Sequence, residues 1–243
     1  MTLIISCVNI SIKLQNVLKA LNLDVDDISG QCYDNGSNMK GKHQGVQKRL
    51  REINPRASYM HCACHSLNLT LCDIAHSFSR AISFFIIVQR LYTLFSSSTK
   101  RRKILLDNVS ELTVKYLSNT RWESRIKSIK TIRFQGPQIR LALSMLYDSY
   151  GNDAKTKSDA ESLYNALGSY EFLLGMVMWY EIFFVINKIS MTLQSKSMCI
   201  SVTIEQIGYM LSYFVKFTDE IFISCLNIAK ILHLIWMLNS PFQ

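Results

Sequence analysis

Asp34 stands where a short apolar run gives way to Asn35-Gly36, within the stretch Gly30-Gln31-Cys32-Tyr33-Asp34-Asn35-Gly36-Ser37-Asn38-Met39-Lys40-Gly41. Ile28 to Tyr33 reads as a strand and Asn-Gly as the turn that ends it. A carboxylate there faces the crevice at the carboxyl end of a strand, where α/β folds bind ligands. The chemistry would be metal coordination; the plainer reading of Asp34 is a structural Asx-turn. His61-Cys62-Ala63-Cys64-His65 is a second constellation, because thiolates and imidazoles at short spacing suit tetrahedral zinc. A closed site needs a second ligand pair. Cys72 and His76, four apart on one helix face, complete a candidate set of Cys62, His65, Cys72 and His76. Two packed cysteines and a capping histidine is the reading without metal. Cations form the third group: Lys40 and Lys42, the run Lys100-Arg101-Arg102-Lys103, and Arg121, Arg125, Lys127 and Lys130 around Trp122. Basic side chains beside an indole suit phosphates and a stacked base. They equally suit a solvated face next to a buried aromatic.

The elements that must position these groups are mostly helical. Leu14, Val17, Leu18 and Leu21 recur at helical spacing, and Asn22 to Asp27 closes that helix. Lys42 to Ile53 reads as a helix with Val46, Leu50 and Ile53 on one face. Ala57 to Cys62 is a second short strand. From Ser66 to about Phe95 apolar residues recur every three or four positions, which predicts one long helix or two joined near Ser77-Phe78-Ser79. Ile126, Ile129 and Ile132 continue the pattern after Trp122, with Gly136-Pro137 as a break before Ile139 to Tyr147. Tyr150 to Lys157 reads as a polar linker. Ser158 to Leu193 and Ile200 to Leu238 read as apolar helices, part of whose surface stays exposed. The fold class expected is therefore mainly α with a small α/β part. The expected domains are an α/β lobe over residues 1–118 and an all-α lobe over 119–243.

Lys and Arg exceed Asp and Glu by 27 to 18 in 243 residues, giving +9. That balance favours polyanions such as nucleic acid. Seven cysteines without regular pairing point to reduced thiols inside a cell. Lys100 to Lys103 is also a minimal nuclear-import patch. Glu181 and Lys188 interrupt Phe172 to Ile189, and Lys230 interrupts Ile221 to Leu238, so no run reaches the roughly 18 uncharged residues of a membrane span. The expectation is a non-membrane, nuclear protein.

Four blocks, in order, resemble the catalytic region of hAT-superfamily transposases in the form found in zinc finger MYM-type proteins. They are Gly30 to Met39, Cys62-Ala63-Cys64-His65-Ser66-Leu67-Asn68-Leu69, Phe95-Ser96-Ser97-Ser98-Thr99-Lys100-Arg101, and Asn119-Thr120-Arg121-Trp122-Glu123. The likeness runs from about residue 9 to about residue 230. It implies a ribonuclease H-like core interrupted by a helical insertion, with DNA strand cleavage and joining as the family chemistry. That chemistry uses two metal ions held by three carboxylates. The resemblance makes Asp34 the second of the three and places the first upstream of Met1 and the third beyond the chain's end. It aligns Cys62 and His65 with a Cys-x-x-His motif whose histidine lies near the metal centre. It makes Arg121-Trp122 a motif whose tryptophan approaches DNA.

Three readings follow. The first is a catalytically incomplete, transposase-derived nucleic-acid or protein interaction module, a relic or domesticated piece with DNA, a protein partner or a second copy as its partner. The second is an active DNA transposase or nuclease, using Mg2+ or Mn2+, whose remaining carboxylates come from a longer gene or a partner chain. The third is a zinc-stabilised interaction module. Asp34 is accordingly a vestigial ligand, a structural turn residue or a working ligand.

Overall fold

The computed structural model describes residues 7–33, 36–109, 114–118, 123–149, 153–194 and 200–238. It divides into two compact units, Met1–Thr70 and Leu71–Gln243. Residues 71–118 belong with the later helices to the second unit.

The first unit begins with α1 (Cys7–Ala20). Asn22, in the left-handed region at φ 54°, ends it, and the Leu23 amide turns back to the Leu18 carbonyl at 2.9 Å. Asp24 accepts from the Asp26 amide at 3.0 Å and caps a single 3-10 turn, Val25–Asp27. Strands β1 (Gly30–Tyr33) and β2 (Ser58–His61) pair in parallel, Gly30 opposite Ser58 and Tyr33 opposite His61. Parallel neighbours need a helical crossover, here α2 (Ser37–Lys40) and α3 (Val46–Ile53). The predicted helix from Lys42 thus starts four residues late, because Gly41 and Gly45 make a tight turn first. The Gly45 amide donates to the Gly41 carbonyl at 3.0 Å. A Cβ on Gly45 would stand 2.4 Å from the Gly41 nitrogen, so no other residue fits.

Buried amides tie this unit together. Gln31 Nε2 on β1 donates to the carbonyls of Gln47 and Ala57, at 3.1 and 3.0 Å. Asn54 Nδ2 donates to those of Val25 and Ile28, at 2.8 and 2.9 Å. These bonds tie β1 to α3 and to the residue before β2, and the end of α3 to the turn before β1. Met60 on β2 remains 71% exposed. The strand pair therefore depends on the crossover for its stability.

Helix α4 (Ala63–Ser77) leads from the first unit into the second, followed by α5 (Ser79–Ser96) and α6 (Thr99–Asn108). Phe78, extended at φ −116° and ψ 128°, separates α4 from α5, at the junction read from the sequence. Helix α7 (Glu123–Ser149) is kinked beside Gly136-Pro137, where a break was expected. Its only distortion is at Gln135, φ −128° and ψ 24°, a kink of the sort proline imposes on the turn before it. Helices α8 (Ala154–Gly168) and α9 (Tyr170–Leu193) replace the single helix expected from Ser158. Asp153 caps α8 by accepting from the Thr156 amide at 3.1 Å, so the last part of the expected linker is helical. Ser169 ends α8 and caps α9 by accepting from the Phe172 amide at 3.3 Å. Helices α10 (Ile200–Lys216) and α11 (Phe222–Leu238) are joined by a π turn, Phe217–Ile221.

Helix α7 packs on α6, α8 and α9, and α11 lies along α9. Phe84, Phe85, Phe172, Trp179 and Phe183 form the aromatic centre, with Phe84 stacked on Phe172 at 4.9 Å and Phe85 tilted on Trp179 at 5.1 Å. The mainly helical fold with a small parallel α/β part is as expected.

Apolar surface remains exposed on α10 and α11, including Ile204 at 66%, Val215 at 68% and Leu234 at 63%. Tyr170–Leu193 and Ser201–Leu238 are also long and apolar enough to cross a membrane by length and composition. This corrects the sequence reading, which took Glu181, Lys188 and Lys230 as enough to interrupt such a run. One or two charges in an 18-residue window still leave it apolar. In α9 one of those charges is met inside the bundle, where Arg133 pairs with Glu181 at 3.3 Å and stacks over Tyr180 at 4.3 Å.

Candidate nucleic-acid interface

Phe95 and Ser96 of the third sequence block and Glu123 of the fourth line one cleft in the second unit. This cleft of about 500 Å³ is lined by Tyr92 and Phe95 of α5, Arg102 of α6, Lys115 and Tyr116, and Glu123 and Lys127 of α7. That volume lies within the range of small-ligand sites. Its wall is the extended segment 114–118, which has no secondary-structure partner. Side chains of α5 and α7 hold its backbone instead. The Lys115 amide donates to Ser128 Oγ at 3.0 Å, and Ser128 Oγ donates to the Lys115 carbonyl at 3.1 Å. The Leu117 amide donates to Gln89 Oε1 and the Ser118 amide to Ser124 Oγ, each at 3.0 Å. These contacts present Tyr116, 60% exposed, edge-on to Tyr92 with ring centres 5.9 Å apart.

The charges around the rings are unequal. Lys127 Nζ lies 2.6 Å from Glu123 Oε1, one helical turn back, and is largely neutralised. Arg102 and Lys115 are exposed, and among the described residues neither forms an ion pair. The cleft therefore offers ring faces and edges for a flat, unpaired base, with two cations in reach of its phosphates. Arg121 and Trp122 lie outside the described residues, but Ser118 and Glu123 on either side of that stretch both line the cleft.

The structure redistributes the other cations. Lys100 to Lys103 are consecutive on a helix, so they point in four directions 100° apart. Lys100 and Lys103 flank Asp107 on one side of α6. Arg101 turns to α8, where Nη2 pairs with Asp153 Oδ2 at 3.2 Å and bonds Thr156. Only Arg102 enters the cleft, so the basic run is not one patch. Arg125, expected on a phosphate-facing surface, is 2% exposed, and its guanidinium lies over Phe85 at 4.6 Å. That is a correction, and its cause is α7 turning this position into the aromatic centre. Burial pulls the Arg125 guanidinium below its ordinary value, an effect the neighbouring Cys72 opposes. Lys40 and Lys42 of the first unit are exposed as expected.

The metal readings find less support. Asp34 lies outside the described residues. Among the described residues no group of three or more His, Cys, Asp or Glu is placed to hold an ion. Cys62 is half-buried just before α4 and His65 stands in its first turn. Cys72, two turns on, is 4% exposed. Burial first holds its thiol above the ordinary value, although Arg125 draws it down and Asp73 adds to the rise. A zinc ligand must be a thiolate, and His65 and Cys72 are separated by a rise of about 10 Å along the helix. The described residues fit neither the zinc set nor a pair of Mg2+ or Mn2+ ions.

Sequence reasoning missed the pinned segment 114–118 and the pairing of Tyr92 with Tyr116. Their signals were Tyr92 inside an apolar helix and Tyr116 between Lys115 and Leu117, which no spacing rule connects.

Residues 5–45 match the family model described as ZMYM1/FAM200, RNase-like domain. This stretch, from α1 through β1 to the glycine turn before α3, is similar to that domain, which supports a relationship to the ZMYM-type proteins at a coarse level and is consistent with a transposase-derived chain. No solved structure matches the chain.

Proposed function

We propose that the protein is a transposase-derived module that binds single-stranded nucleic acid through the cleft between α5, α6 and α7. The observation that carries the reading is the convergence of Tyr92, Tyr116, Arg102 and Lys115 on one cleft of nucleotide size. The net charge of +9 favours the same partner. The ribonuclease-like match and the four sequence blocks support descent from a hAT-type transposase. A nuclear site of action agrees with a nucleic-acid partner.

Fluorescence anisotropy with a labelled single-stranded oligonucleotide tests it. Tyr116→Ala should weaken binding by about 1–3 kcal/mol, the usual contribution of a stacked base. Arg102→Ala should weaken it and make the salt dependence shallower by about 0.7 in log–log slope. Equal binding by both variants and the unaltered chain would remove the cleft from the reading.

Contact with a protein partner or a second copy is the other reading. The exposed apolar residues of α10 and α11, Ile204, Leu211, Val215, Ile231 and Leu234, favour it. Concentration-dependent sedimentation that Leu211→Glu abolishes would support self-association through this face.

A further inference from the structure

Cys32 and Cys62 are far apart in sequence and adjacent in the first unit. Strand pairing sets Cys32 opposite Met60. The ladder continues one residue past β2, with the Cys62 amide donating to the Tyr33 carbonyl at 3.2 Å. Residues two apart on a strand share a face, so Cys62 follows Met60 onto the side that Cys32 occupies. The two thiols lie within hydrogen-bonding reach of each other. Cys32 is exposed and Cys62 half-buried, and neither is in a disulfide. Among the other described cysteines, Cys64, Cys72 and Cys225 are buried and Cys7 donates to Asn38 Oδ1 at 3.5 Å.

We propose that Cys32 and Cys62 are a redox couple, which hydrogen peroxide converts to one disulfide that ties the carboxyl end of β1 to the start of α4. The exposed Cys32, as thiolate, attacks a peroxide oxygen. The O–O bond breaks, a sulfenic acid forms on Cys32, and the departing hydroxide takes a proton to become water. Cys62 Sγ then attacks the sulfenic sulfur, forming the S–S bond as the S–O bond breaks. The thiol proton of Cys62 leaves with that hydroxide as a second water. Two thiols lose two electrons in all, and one peroxide gains them. Partial burial first, and the Cys62 thiol second, hold the Cys32 thiol above its ordinary value. The resolving thiol is already in place on the same side of the strand pair when the sulfenic acid forms.

The bond would act on a small element of the fold. Two four-residue strands share one short ladder, and a covalent link at its carboxyl end would hold Tyr33 against the α4 terminus.

The test treats the full chain with one equivalent of hydrogen peroxide, blocks remaining thiols by alkylation, and maps an unreduced tryptic digest by mass spectrometry. Residues 20–40 contain Cys32, and residues 57–80 contain Cys62, Cys64 and Cys72. The expected product is a 20–40 to 57–80 linked peptide that is absent in Cys32→Ser and in Cys62→Ser and retained in Cys64→Ser. It should form faster in the folded chain than in guanidinium. A link that survives Cys62→Ser, one that forms as fast in the denatured chain, or oxidation of Cys32 to sulfinic acid without any link would each overturn the proposal.

Discussion

Arg140 Nη1 donates to the backbone carbonyl of Trp236 at 2.6 Å, joining α7 to α11 across 96 residues of sequence. The guanidinium is 5% exposed and lies over the Tyr164 ring at 4.0 Å. Burial pulls it below its ordinary value and Tyr164 opposes the shift. One side chain thus satisfies a carbonyl near the end of α11 and fills the space between α7 and α8.

Arg140→Ala removes the ring contact and leaves the Trp236 carbonyl buried without this donor. The expected destabilisation is about 3 kcal/mol, or roughly a 10 °C fall in Tm for a unit of this size. Arg140→Lys should recover only part of it, because an ammonium cannot reproduce the planar stack. Thermal unfolding by circular dichroism measures both.

Gly136 meets the same tryptophan. A Cβ there would stand 1.9 Å from the Trp236 ring, which is itself 3% exposed. Alanine in place of a helical glycine contributes about 1 kcal/mol of stability, whereas forcing an indole out of a packed site costs about 1–3 kcal/mol. The clash should win, so Gly136→Ala lowers Tm. Adding Trp236→Phe should recover stability relative to Gly136→Ala alone, a coupling that a double-mutant cycle reads directly.

These contacts also show where sequence reasoning stops. The junction at Phe78, the strand pair and the α10–α11 run were legible because each repeats a local pattern over several residues. Gly136-Pro137 was equally visible, but a kink and a helix end share that signal, and the Trp236 ring that occupies the glycine's space lies 100 residues away. Burial of Arg125 was illegible for a related reason: a cation every few residues looks the same whether its helix face meets water or Phe85. The Asp153 cap, by contrast, was there to be read. Asp153 just before the periodic run that begins at Ala154 is a helix-start residue, and the polar composition of Tyr150 to Lys157 concealed it.

Asp153 also gives a pH dependence. The Thr156 hydroxyl first, then its amide, with Arg101 adding to them, holds the carboxyl below its ordinary value. A carboxylate whose folded value is depressed stabilises fully above its unfolded value near about 3.9, and this contribution fades as pH falls through the folded value. Asp153→Asn keeps a good capping side chain and removes the titration. Between pH 5 and 3, unfolding of the variant should depend less on pH than that of the unaltered chain. Parallel pH slopes would remove Asp153 from the acid response.

Photo-crosslinking tests the central claim most directly. A single-stranded oligonucleotide carrying 5-iododeoxyuridine would be irradiated with the full chain and the adducts mapped by mass spectrometry. Stacking in the cleft requires adducts on Tyr92 or Tyr116, reduced when Arg102→Ala weakens occupancy. Adducts confined to the first unit or to α10 and α11, with Tyr92 and Tyr116 unmodified, would contradict it.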